Sequence, residues 1–233
     1  MRLERTIQRW LLLWAIILLS FGLASIVYAA NTTDLDQTIN AGTLVTDIRD
    51  ASRVPVGSPA VAFSATTFSF DCLSGGSRPT GTFGTGTERI YVDNPGAANN
   101  GWDLTLAATG GATDSWDNVG VTQQYDFNDP GGAPAGCGDG GDTDSFIGQL
   151  SVDPSVGSLT ADCGSCNTSN ISLGSPSAYD EGTTDSITLL NAAAASDDIG
   201  RWYLTGVGMA QTIPAEQPND SYSINMTLTV TSL

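Results

Sequence analysis

Asp139, Asp142 and Asp144 stand within six residues of one another in Gly138-Asp139-Gly140-Gly141-Asp142-Thr143-Asp144. Hard carboxylate oxygens on a flexible glycine-rich stretch can converge on Ca2+, so this loop is the candidate metal site and Ca2+ the candidate cofactor. It departs from the twelve-residue helix-flanked calcium loop, because no Glu stands at the last position. The alternative stays open that Asp and Gly gather here only because both favour turns. Asp93, Asn94, Asn99, Asn100 and Asp103 form a second, weaker cluster.

Other chemistry is sparse. The chain contains no histidine, so neither a Ser-His-Asp nor a Cys-His arrangement can be assembled, and histidine-based metal hydrolysis is excluded. Past the first thirty residues Glu88, Glu181 and Glu216 are the only glutamates, and the aspartates are scattered through turns. A carboxylate pair for glycoside cleavage is therefore poorly supported. No glycine-rich segment opens a helix, which removes phosphate-loop readings. The chain reads as non-catalytic.

Cys72, Cys137, Cys163 and Cys166 are an even set. Cys163-Gly-Ser-Cys166 has the spacing of a redox or zinc pair, but the βαβ context of the first and the second close pair of the other are missing. Structural disulfides are the expectation. Three pairings are open. A bridge within Cys163–Cys166 closes a short, easily strained loop, so each single cysteine is expected to join one member of the pair.

Aromatic side chains supply the candidate binding residues: Trp102 with Leu104, Trp116 and Trp202, whose rings could stack on sugars or peptides. Trp102 and Trp202 align with apolar faces, which favours core packing over contact with a ligand. Trp116 lies in the polar run Asp114-Ser115-Trp116-Asp117-Asn118 and is expected at the surface.

Arg2, Arg5 and Arg9 precede an almost wholly apolar stretch from Trp10 to Val27, and Val27-Tyr28-Ala29 offers a cleavage signal. Residues 1–29 thus read as a signal peptide, with an uncleaved membrane anchor as the alternative because the apolar run approaches about 20 residues. The leader holds three of the eight basic residues and one of the 25 acidic ones, which leaves five against 24 and a net charge of −19. Such a field repels nucleic acid and anionic lipid, so membrane contact is expected only through an uncleaved leader.

The remainder, 30–233, reads as one domain. Strand signals recur between turn clusters: Ala60–Phe63 leading to Phe68–Phe70, Arg89–Val92, Trp102–Leu106, Val121–Phe127, Phe146–Val152, Ile171–Leu173, Ser186–Leu190, Trp202–Met209 and Ser221–Val230. In the last of these Tyr222, Ile224, Met226, Leu228 and Val230 share one face against Ser, Asn and Thr. Only Ala192–Ala195 hints at a helical turn. Gly110–Asp117 and Asp129–Asp144 read as long acidic loops. About ten short strands imply an all-β, antiparallel sandwich with Greek-key-like connections.

Ile90-Tyr91-Val92-Asp93-Asn94-Pro95-Gly96 followed by Gly101-Trp102-Asp103-Leu104-Thr105-Leu106 resembles the first Trp-x-Leu element of the WxL-domain surface proteins of Gram-positive-type bacteria. Ile213-Pro214-Ala215 and the Tyr222 strand are similar to that family's closing segment, although Met226-Thr227-Leu228 stands where a second Trp-x-Leu would be. The resemblance implies a bacterial protein displayed at the cell surface and held non-covalently on cell-wall polymer such as peptidoglycan, or on surface proteins. The long regular last strand suggests a different role, a subunit of an extracellular fibre or layer built by strand pairing. An enzyme acting on polysaccharide is the third reading.

Overall fold

In the computed structural model the described residues are 7, 10, 37, 42–96, 100–140, 144–194 and 199–233. The chain divides into two compact units, Met1–Ile39 and Asn40–Leu233. In the first, Ile7 and Trp10 are helical and exposed; the leader's apolar run and its cleavage point lie outside the described residues.

The second unit is all-β. Its strands are β1 Val45–Arg49, β2 Thr80–Phe83, β3 Arg89–Asn94, β4 Trp102–Ala108, β5 Trp116–Asn118, β6 Gln124–Tyr125, β7 Gln149–Asp153 and β8 Ser158–Ala161, followed by β9 Ile171–Leu173, β10 Ser177–Ala178, β11 Ser186–Ala192, β12 Gly200–Thr205, β13 Val207–Thr212, β14 Tyr222–Ser223 and β15 Met226–Ser232. All pairings are antiparallel, in sheets ordered β1-β3-β12-β8, β15-β4-β11-β9, β10-β7-β13-β2 and β14-β5-β6. Within the four-stranded sheets no strand neighbours its predecessor in sequence, so every connection leaves its sheet; the arrangement is that of a β-sandwich, without the hairpin-linked neighbours that a Greek key contains.

Alternation builds the core. In β4 Trp102, Leu104, Leu106 and Ala108 are buried and the residues between them are half-exposed. Across the interior Trp102 meets Trp202 of β12 with ring centroids 5.7 Å apart. Both indoles are 0% exposed. The Trp202 Nε1–H donates to the Asn167 carbonyl at 2.8 Å, so its one polar group is not stranded. Against β4, the register of β11 slips between Thr188 and Leu190, a bulge that turns both Leu189 and Leu190 inward.

Expected strands at Arg89–Val92, Trp102–Leu106, Ile171–Leu173 and Ser186–Leu190 form. The run Trp202–Met209 is instead two strands in different sheets. Its buried residues change phase, from Trp202 and Leu204 to Val207 and Met209, across Gly206 at φ +80°. A residue without Cβ takes that left-handed corner freely. Val121–Phe127 and Phe146–Val152 contract to the short β6 and to β7, and the last run divides into β14 and β15. No ladder forms over Phe68–Phe70, where the two exposed rings pack edge-on at 5.1 Å. Of the expected turn of helix at Ala192–Ala195, Ala192 instead ends β11 with its side chain buried, and Ala195 lies outside the described residues.

The disulfides are Cys72–Cys137 and Cys163–Cys166, which corrects the expected pairing. Cys163 and Cys166 reach a Cα–Cα separation of 5.3 Å on a tight turn after β8, while the Leu73–Ile213 bridge helps seat Cys72 5.8 Å from Cys137.

On the outer face of the first sheet Asp93 accepts from Arg49 at 2.8 Å and from Arg201 at 2.6 Å. Burial by itself would raise its carboxyl, but the two guanidiniums outweigh burial and hold it below its ordinary value. A carboxylate depressed on folding stabilises fully above the unfolded pKa of about 3.9 and loses that contribution as pH falls through the lower folded value. Asp93→Asn is therefore expected to cost about 1–3 kcal/mol in urea unfolding at pH 7, with the gap to wild type closing below about pH 3. Trp102→Ala, which opens a cavity between the sheets, is expected to cost about 3–5 kcal/mol in the same assay.

Candidate binding cleft

One cleft, of about 510 Å3, is lined by Thr46, Asp47 and Ile48 of β1, by Pro59, Ala60, Val61 and Phe63, and by the run Tyr222–Met226 with Leu228. Its floor is core: Phe83, Leu106, Leu150 and Met209 are all buried. Its walls are the partly buried Ile48, Val61, Phe63, Ile224, Met226 and Leu228. Two carboxylates join the lining. Asp47 accepts from the Ile48 N–H at 2.8 Å and pairs with Arg49 at 3.3 Å, and Glu88 accepts from the Ala60 N–H at 3.4 Å.

Trp116 also lines this cleft, which corrects the expectation that it lies on the surface. It is 9% exposed, stacked on Tyr125 at 5.8 Å and met edge-on by Phe63 at 5.4 Å. Its polar neighbours serve the turns around it. Asp114 accepts from the Gly110 and Ser115 N–H groups, and the Asn118 side chain accepts from Thr122 and Gln123 N–H and donates to Asp220 at 2.8 Å. The Trp116 Nε1–H donates to Gln211 Oε1 at 3.0 Å. Gln211, 1% exposed, in turn donates to the Asp126 and Thr212 carbonyls at 2.9 and 2.8 Å. Sequence reasoning passed over Gln211; its one signal was a polar residue at a buried position of a strand.

Trp102, Leu104 and Trp202 are 0% exposed and belong to the core between the sheets, so this fold turns no face of theirs to a ligand. Of the candidate calcium ligands, Asp142 lies outside the described residues. Asp139 is exposed, and Asp144 accepts from the Phe146 N–H at 2.6 Å. Among the described residues no three acidic, cysteine or histidine groups gather closely enough to hold a metal. The loop is organised by Asp129, which is 0% exposed and accepts from the Gly131 and Gly140 N–H groups at 2.7 and 3.1 Å. A Cβ on Gly131 would strike the backbone of Gly138 and Gly140, so close approach of two chain segments accounts for glycine there.

β15 borders the cleft as a sheet edge. Among the described residues it pairs with β4 alone, and its burial alternates, with Met226, Leu228 and Val230 half-buried between exposed threonines. The Thr109 N–H donates to the Asn225 carbonyl and the Leu233 N–H to the Gly101 carbonyl. In an antiparallel ladder that parity turns the backbone groups of odd-numbered residues toward β4. Those of Met226, Leu228, Val230 and Ser232 point away from it, and among the described residues they have no backbone partner.

Replacing Gln211 by Leu strands the Trp116 N–H and two buried carbonyls. We expect a loss of about 1–3 kcal/mol in denaturant unfolding, with altered tryptophan emission from this cleft. No family model, curated protein or solved structure matches this chain.

Proposed function

We propose that the protein is a non-catalytic component of the cell exterior that recognises a partner by accepting an extended apolar strand onto β15. The observation that carries this reading is the coincidence, along one edge, of outward N–H and C=O groups with half-buried apolar side chains bordering an apolar cleft. Main-chain bonds would hold such a strand, and alternate side chains entering the cleft would select it. Two disulfides suit an oxidising exterior. The acidic surface suits solubility there. Association with wall glycan through stacked indoles is the weaker reading, because Trp102, Trp116 and Trp202 are all buried.

A soluble heptapeptide of alternating Thr and Val, titrated into the protein, should quench or shift the emission of Trp116. Val230→Pro removes an outward N–H while leaving the ladder to β4 intact, since proline is tolerated on an edge strand. It should weaken the peptide by about tenfold or more with an unchanged circular dichroism spectrum. A wild-type protein indifferent to the peptide would overturn the reading, and so would peptidoglycan that pelleted wild type and Val230→Pro equally well.

A further inference from the structure

Resting on the strand-accepting role of β15, we infer that the strand it accepts is β15 of a second copy, paired antiparallel about a two-fold axis at Thr229. Three observations converge on this edge.

Geometry comes first. With Thr229 on the axis, the whole of Met226–Ser232 overlaps its copy. Leu228 lies opposite Val230 of the partner and Met226 opposite Ser232 of the partner. These even-numbered residues are the ones whose backbone groups face outward, so each such pair can exchange both of its ladder bonds. Thr227 then faces Thr231 of the partner, and Thr229 faces its own copy, as the closely spaced pairs between those bonds. The apolar side chains of both copies fall on the inner face and the threonines on the outer. A register shifted by one residue would destroy both matches.

Charge points the same way. The chain carries a net −17, and two copies repel over most of their surface. From Ser221 to Leu233 there is no Asp, Glu, Lys or Arg. The contact is made where that repulsion is weakest.

Accessibility is the third. The other edges among the described residues are shorter, and several are covered. Val56 N–H donates to Ile48 of β1, Ser64 N–H to Thr80 of β2, and the Gln217 side chain to Gln124 of β6. β15 spans seven residues and has none of the usual guards, neither proline nor an inward charge nor a bulge. Pairing would join two four-stranded sheets into one continuous sheet across the axis. Because the contact is isologous, it closes at a dimer.

The register makes the test specific. Thr229→Cys brings two thiols together at a closely spaced pair, within disulfide reach, and the native protein has no free cysteine to compete. Under mild oxidation it should form a covalent dimer about tenfold more readily than Val119→Cys, whose side chain is exposed on a turn. Thr227→Cys alone should cross-link poorly but do so when mixed with Thr231→Cys. Thr229→Lys places two ammonium groups on the axis and should give a monomer by light scattering, with an unchanged near-ultraviolet spectrum. Wild type that stays monomeric at high concentration, or Thr229→Cys that cross-links no better than Val119→Cys, overturns the self-pairing. If the Thr/Val heptapeptide still binds in that case, the strand-accepting role of β15 survives; if it does not, both fall together.

Discussion

The contact of Trp102 with Trp202 is the constraint on which the rest of the second unit depends. Two fully buried indoles set the spacing of the two sheets that carry β4 and β12. With that spacing set, each alternate residue of those strands has a fixed destination, and the bulge in β11 becomes a way to fill the same interior with both Leu189 and Leu190. Toward β15 the interior opens into the cleft, where Ile224, Met226 and Leu228 face Ile48, Val61 and Phe63.

Electrostatics divide the surface in a complementary way. Lysine is absent, and the guanidiniums of Arg49, Arg53, Arg89 and Arg201 are engaged on or beside the first sheet, with Asp93, Asp162, Tyr91 and Tyr203 as partners. Elsewhere the acidic residues find their partners chiefly in backbone N–H groups at turns, as Asp114, Asp129 and Asp153 do. The result is a molecule negative over most of its exterior with an uncharged strip along β15. Such a strip confines close approach to one edge, so it acts on specificity as much as on affinity.

Much of the fold was legible in period-two hydrophobicity. β4 and β15 alternate cleanly because each has one face on the core and one toward solvent. Legibility failed where alternation had another cause. Phe68 and Phe70 satisfy a strand pattern yet pack on each other in an irregular segment. Trp116 looked exposed because its sequence neighbours are polar, but those neighbours are polar in order to bond turns around a buried ring. The cysteine pairing went the other way from expectation because loop strain was judged along the chain. Which sulfurs meet depends on where β8, β12 and the Leu73–Ile213 bridge bring the backbone.

The amino-acid sequence determined what each segment is able to be: an alternating, half-buried strand, an acidic turn, a chain without histidine chemistry. Those are properties of neighbouring residues, and covalent order carries them. Which strand becomes an edge, which indole is sealed and where the apolar lining opens to solvent depend on residues distant along the chain, as when β4 of Trp102–Ala108 takes β11 and β15 as its neighbours. No local pattern encodes that choice. It is settled by the closure of sheets on one another, and the candidate site exists only as its product.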